Sequence, residues 1–223
     1  MKKGLFVKAI TRFIAGVILL ALLLFLPAGT IHYKQGWLLM GILFIPMFIA
    51  GLIMMSKNPT LLEKRLNINE QEKEQKAVIL YSGIMFLAAF TAAGLSYRFN
   101  FMMLPWIVSI IFAFIFLIAY ALYAEVLREN TYLSRTVEVQ EDQKVIDTGL
   151  YGIVRHPMYM VTLLLFLSMP LVLGSIVSFV IMLFYLPIII KRLRNEEKVL
   201  EEGLPGYKEY EKKVKYHLIP FIW

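Results

Sequence analysis

Apolar residues fill four uninterrupted stretches of the chain, at about 13–28, 37–55, 77–97 and 101–124, and a longer one at 158–190. A helix needs about 20 residues to cross the core of a bilayer. The last stretch has 33 residues, too many for one ordinary span and few for two. Its centre reads Ser168-Met-Pro-Leu-Val-Leu-Gly-Ser175, and proline and glycine there break and turn a helix. The pattern predicts an all-α integral membrane protein of about six transmembrane helices, the last two short or tilted and forming a C-terminal hairpin. A cytosolic helical segment follows them.

The polar residues between these stretches test the count. Of 23 lysines and arginines, 21 fall in the segments before the first stretch, between the second and third, between the fourth and fifth, and after the last. The opposite side keeps Lys34 and Arg98, and all 16 acidic residues fall on the basic side. Basic residues mark the cytosolic side of a membrane protein. Six spans with both termini inside satisfy this rule, whereas five would export the strongly basic tail. A multi-pass membrane protein with both termini in the cytosol is the resulting expectation. The connections on the far side are minimal, so chemistry-bearing residues gather on the cytosolic face.

Composition agrees with one membrane domain over 1–223. The chain is 59% hydrophobic and 17% charged, which is rare for a soluble domain of this size. It has no cysteine, which excludes disulfides, thiolate metal sites and a cysteine nucleophile. His32, His156 and His217 are not spaced as helical metal ligands, so no metal is expected. The net charge of +7 does not indicate nucleic acid, because the charges flank apolar helices and suit membrane lipid head groups.

The connections carry local signals. In the cytosolic loop 57–76, Asn58-Pro-Thr60 starts a helix, and Leu61, Leu62, Arg65 and Leu66 suit an amphipathic helix lying on the membrane. Residues 136–139 and 145–146 are β-prone around Glu141-Asp142 and predict a small hairpin. Gly16, Gly41, Gly51, Gly83 and Gly94 are placed to let helices approach closely. Trp37 and Trp106 belong to an aromatic belt.

Candidate chemistry lies at both flanks of the terminal hairpin. One flank reads Thr148-Gly-Leu-Tyr-Gly-Ile-Val-Arg-His-Pro-Met-Tyr159. Pro157 fits the first position of a helix and His156 its cap, at an end that attracts anions. Arg155 and Tyr159 read equally well as interfacial anchors. The other flank carries Arg192, Glu196 and Glu197, either a solvated helix laced with ion pairs or carboxylates that bind a polar ligand. Beyond Gly203-Leu-Pro-Gly206 a short helix places Tyr207 and Tyr210 on one face, an aromatic belt or a π-rich wall for a base or cation. His217 reads as an interfacial residue of a tail packed on the membrane, and Asn130, Ser134 and Gln143 have no spacing that assigns a role.

Taken in order, these elements resemble the isoprenylcysteine carboxyl methyltransferase family and the related phospholipid N-methyltransferases. The resemblance covers 130–223, a C-terminal cofactor-binding catalytic region, and Asn58-Pro-Thr-Leu-Leu-Glu-Lys-Arg-Leu66 looks like a recurring element of prokaryotic members. It implies S-adenosylmethionine as methyl donor and a lipophilic small molecule or lipid as acceptor, through a carboxylate, amine or thiol. It further implies that Gly149, Leu150, Tyr151, Val154, His156, Pro157, Tyr159, Glu196, Glu197, Tyr207 and Tyr210 bind the donor. Arg192 and Arg155 would stand near the reacting groups. Leu150 stands where a proline is frequent, and Met160-Val161 where many members have glycine. The alternatives are a sterol-reductase-like oxidoreductase using NADPH and a non-enzymatic membrane scaffold.

Overall fold

The computed structural model describes residues 2–66, 73–133 and 139–223. Among them the secondary structure is helical: α1 (Lys2–Ala28), α2 (Lys34–Lys57), α3 (Pro59–Leu66), α4 (Lys73–Phe99), α5 (Trp106–Glu129), α6 (Pro157–Val172), α7 (Ile176–Met182), α8 (Tyr185–Gly203) and α9 (Tyr207–Lys213). A 3-10 turn at Gly149–Gly152 precedes α6. Helices at Gly4–Ala28, Lys34–Lys57, Lys76–Phe99, Trp106–Glu129 and Ile176–Gly203 are long and apolar enough to cross a membrane, and Pro157–Val172 is a shorter apolar helix. The chain is an all-α integral membrane protein.

The long C-terminal apolar stretch resolves as expected, with a refinement. Its turn falls at 173–175, where Gly174 takes φ +71, a conformation that favours glycine. Pro170 stays inside the last turn of α6. α6 has 16 residues and so reaches about 24 Å, short of a hydrocarbon core of about 30 Å. The returning limb is longer, because α7 and α8 follow one another around residues 183–184 and continue past the apolar run into Lys191–Gly203.

Three connections meet at one end of the bundle. The Tyr33 hydroxyl donates to the Leu173 carbonyl at 2.6 Å, and its ring stacks on Tyr97 at 4.3 Å. Leu104 N–H donates to Gly174 O at 2.7 Å, and Ile176 N–H to Met102 O at 3.2 Å. These bonds gather the α1–α2, α4–α5 and α6–α7 connections, so both flanks of the terminal hairpin lie together at the other end.

Lipid offers little hydrophobic reward for helix association, so close backbone packing and interhelical bonds hold such bundles. α5 packs on α6, and α1 on α4. At Gly94 an added Cβ would sit 2.5 Å from Leu24 O, so only glycine allows this approach of α4 to α1. The other glycines differ from expectation: Gly16 makes ordinary contact with Phe44, while Gly41, Gly51 and Gly83 face open space. The reason is position, since they lie away from the helix crossings. Trp37 and Trp106 are about half exposed.

α3 also departs from a helix resting on the bilayer. Leu62 is buried, Arg65 lies over the Tyr123 ring at 5.5 Å, and Arg12 of α1 donates to the Leu66 carbonyl. Protein, rather than lipid, receives that face. The region 139–148 forms a turn with Gln143 N–H on Gln140 O at 3.1 Å and Asp142 at φ +57. The outer strand of the expected hairpin lies mainly in 134–138, outside the described residues, as do Ser134 and residues 67–72 of the α3–α4 connection.

Candidate functional site

The site grows from one stripe of α8. Tyr185, Ile189, Leu193 and Glu197 are buried and four residues apart, so they form a single helical face. Its first three members join a core with Met85, Ala89, Tyr159 and Leu218. Its fourth is a carboxylate, and a buried carboxylate requires partners. Glu197 Oε1 lies 3.2 Å from His156 Nε2 and 3.2 Å from Arg155 Nη2, and its Oε2 lies 3.3 Å from His217 Nε2. His156 does occupy the cap position before Pro157, but its side chain makes no capping bond and turns to this carboxylate instead.

The adjacent stripe carries Arg192 and Glu196, which meet at Tyr159. Arg192 Nε donates to the Tyr159 hydroxyl at 3.1 Å, and that hydroxyl donates to Glu196. The Tyr159 ring in turn stacks on His156 at 5.7 Å. Arg155 is occupied as well, with Glu211 of α9 at 2.6 Å and with His217. The C-terminal tail closes this side, since Arg155 N–H donates to Tyr216 O at 2.8 Å and His156 N–H to His217 O at 3.0 Å. His217 further stacks on Trp223 at 4.9 Å. The tail is thus part of the site, a role the sequence reading of His217 as an interfacial residue did not capture.

α9 starts at Gly206 in the left-handed region and buries Tyr207 and Tyr210 side by side, with ring centroids 5.8 Å apart. The Tyr210 hydroxyl donates to Tyr151 O at 2.7 Å, and Asn130 donates to the Tyr151 hydroxyl at 3.1 Å. The Tyr207 hydroxyl is buried with no hydrogen-bond partner among the described residues. Burial pushes the Tyr151, Tyr207 and Tyr210 hydroxyls above their ordinary range, so they remain neutral. Burial also raises the Glu211 carboxyl against the opposing field of Arg155, and it lowers His217 against that of Glu197.

A cavity of about 870 Å³ adjoins this cluster. Tyr151, Arg155, His156, Tyr159, Arg192, Glu196, Tyr207 and Tyr210 line its polar end. Leu43, Met47 and Met54 of α2, with Ile79 and Phe86 of α4, line its apolar end. Gly149, Leu150, Val154, Pro157 and Glu197, which the resemblance assigned to the donor, do not line it. Val154 is fully buried, and Gly149 takes φ +55, where an added Cβ would meet the Glu129 carboxylate carbon at 3.3 Å. Asn130, Gln143, Arg65, Tyr120 and Tyr123 line the cavity too. Glu211, like Tyr207 and Tyr210, sits on one face of α9, and that spacing could have found it; the inward turn of His217 left no such signal.

Comparison with known proteins points the same way. Residues 107–202 match the isoprenylcysteine carboxyl methyltransferase (ICMT) family. A Delta(14)-sterol reductase of Mus musculus is 28% identical over 91 residues, which are 40% of this chain and 22% of that protein. The chain therefore aligns with under a quarter of that relative's length. The matched segment runs from α5 to α8, so the similarity to that family takes in the whole terminal hairpin and both clusters that flank it.

Proposed function

We propose that this protein is a membrane-embedded methyltransferase that moves a methyl group from S-adenosylmethionine to a lipophilic acceptor at the cytosolic face. The observation that carries the reading is the single cavity joining a charged, aromatic cluster to an apolar wall. A soluble, polar donor and a greasy acceptor need such a junction.

The residues fit the donor. The unpartnered Tyr207 hydroxyl, the Glu196 carboxylate and the His156 ring offer polar contacts to an amino acid or ribose, and the Tyr207 and Tyr210 rings offer a π face. When bound, S-adenosylmethionine would supply an electrophilic methyl group, whose carbon bonds to a nucleophilic oxygen, nitrogen or sulfur as the carbon–sulfur bond breaks and its electron pair stays on sulfur. Catalysis by the chain is then mainly alignment. Glu197 holds Arg155, His156 and His217 in place, and Tyr159 fixes Arg192 against Glu196. The apolar lining excludes water. A carboxylate or thiolate acceptor needs no general base, whereas an amine must first lose a proton.

Incubation with labelled S-adenosylmethionine and a total lipid extract, followed by mass identification, tests the reaction; labelled lipid is expected. The orientation rests on the charge asymmetry, and impermeant reagents outside cells should label Lys34 but not Lys212. The similarity to a Delta(14)-sterol reductase keeps a reductase as the second reading. Binding of NADPH without binding of S-adenosylmethionine would replace the methyltransferase by that reading.

A further inference from the structure

We infer that Arg65 of α3 selects acceptors that carry an anionic group, holding that group where the polar end of the cavity meets its apolar end. This rests on the methyltransferase reading and adds a specificity residue outside the segment matched to the family.

The charge of the cavity wall is the first observation. Arg65, Lys144, Arg155 and Arg192 line it, against Glu196 as the lining carboxylate. Arg155 already has Glu197 and Glu211 behind the wall, and Arg192 bonds to Tyr159, which Glu196 also holds. Lys144 is exposed to solvent. Arg65 is half-buried, and its partners among the described residues are the hydroxyl and ring of Tyr123, both neutral. A guanidinium withdrawn from water without a carboxylate retains an unspent attraction for an anion.

The second observation is how α3 is held. Leu62 is buried beneath it, and Arg12 donates to the carbonyl of Leu66. The backbone carrying Arg65 is therefore pinned to α1 and α2. The field of Arg65 reaches the Tyr151 hydroxyl, which also feels Glu196. Arg65 thus acts on the polar site while following directly from α2, whose Met47, Ala50 and Met54 wall the apolar end. An amphiphile with its tail along α2 and α4 brings an anionic head, a carboxylate or phosphate, to Arg65.

The anion has two possible sources, the acceptor and the methionine carboxylate of the donor, and the test separates them. Purified protein in nanodiscs is exposed to a photoactivatable alkynyl palmitate or to its uncharged methyl ester, and cross-linking is read by peptide mass spectrometry. Retention of labelled S-adenosylmethionine is measured alongside. The wild type should cross-link the acid in preference to the ester on α2 and α4 peptides. Arg65→Leu should lower acid labelling by about tenfold, leaving ester labelling and donor retention unchanged. Arg65→Lys should keep part of the preference, and Tyr123→Phe, which spares the guanidinium, should keep all of it. Equal labelling of acid and ester by the wild type, or an Arg65→Leu protein that still prefers the acid, overturns the inference. Loss of donor retention in Arg65→Leu with acid preference intact assigns the anion to the donor and also overturns it. Acid preference lost in Arg65→Leu, in a protein whose wild type retains no donor, supports the anion site while the methyltransferase reading fails.

Discussion

His156 Nε2 and Glu197 Oε1 lie 3.2 Å apart across 41 residues of chain, one at the cap of α6 and the other on the buried stripe of α8. That contact ties the two flanks of the terminal hairpin into one site. Glu197 also receives Arg155 and His217, so one carboxylate organises the cap of α6 and the C-terminal tail.

Glu197→Gln keeps the shape and removes the charge. Hydrogen bonds to charged groups contribute about 1.5–3 kcal/mol, so affinity for S-adenosylmethionine should fall by about tenfold or more, with a lower melting temperature in detergent. Equilibrium dialysis and thermal melting check the two effects. The exposed Glu125–Arg128 pair is the control, and Glu125→Gln should change neither.

Tyr159→Phe removes the hydroxyl between Arg192 and Glu196 while sparing the ring that stacks on His156. If the hydroxyl positions those charges for transfer, the rate constant at saturating donor should drop by about one to two orders of magnitude, with donor affinity nearly intact. A hydroxyl that serves folding alone would lower the melting temperature and leave the rate unchanged.

Five long apolar helices and the shorter α6 were legible because lipid demands about 20 apolar residues per crossing. Gly174 was legible as a turn for a local reason, since its left-handed φ suits glycine. The pairing of Arg192 with Glu196 was read from their spacing, yet they meet through Tyr159, which lies 33 residues before Arg192. No periodicity within α8 could reveal that third partner. His217 was misjudged for a related reason: a histidine among apolar residues reads as interfacial until the tail is seen pairing with Arg155 and His156. Glycine spacing likewise could not say which glycine stands at a crossing.

Gly94→Ala should destabilise the protein by about 1–3 kcal/mol, the usual cost of overpacking. Its methyl would meet the Leu24 carbonyl at 2.5 Å and Ala28 N at 3.1 Å, both backbone atoms that cannot step aside. Gly83→Ala meets nothing within 4 Å and, since alanine favours helix, should leave stability equal or higher. Melting temperatures in detergent compare the two directly.

The tail should come away from the site as pH falls. Burial lowers the pKa of His217, and although the carboxylate of Glu197 opposes this, Arg155 and His156 reinforce it. A histidine whose folded value lies below its ordinary value of about 6.5 favours the folded state fully above that value, and its contribution is lost as pH falls through the folded value. Protonation then places a second positive charge beside the Arg155 guanidinium, at the point where Arg155 and His156 N–H bond the tail backbone. Trp223 stacks on His217 and reports the event, because release exposes its indole to water. With Trp37 and Trp106 replaced by Phe, Trp223 emission should shift to the red as pH falls below about 6.5, and donor affinity should fall with it. Glu211 also titrates in acid and bonds Arg155, so the discriminating variant is His217→Gln. That protein should lose the transition, and an undiminished shift in it would transfer the pH sensitivity from His217 to Glu211.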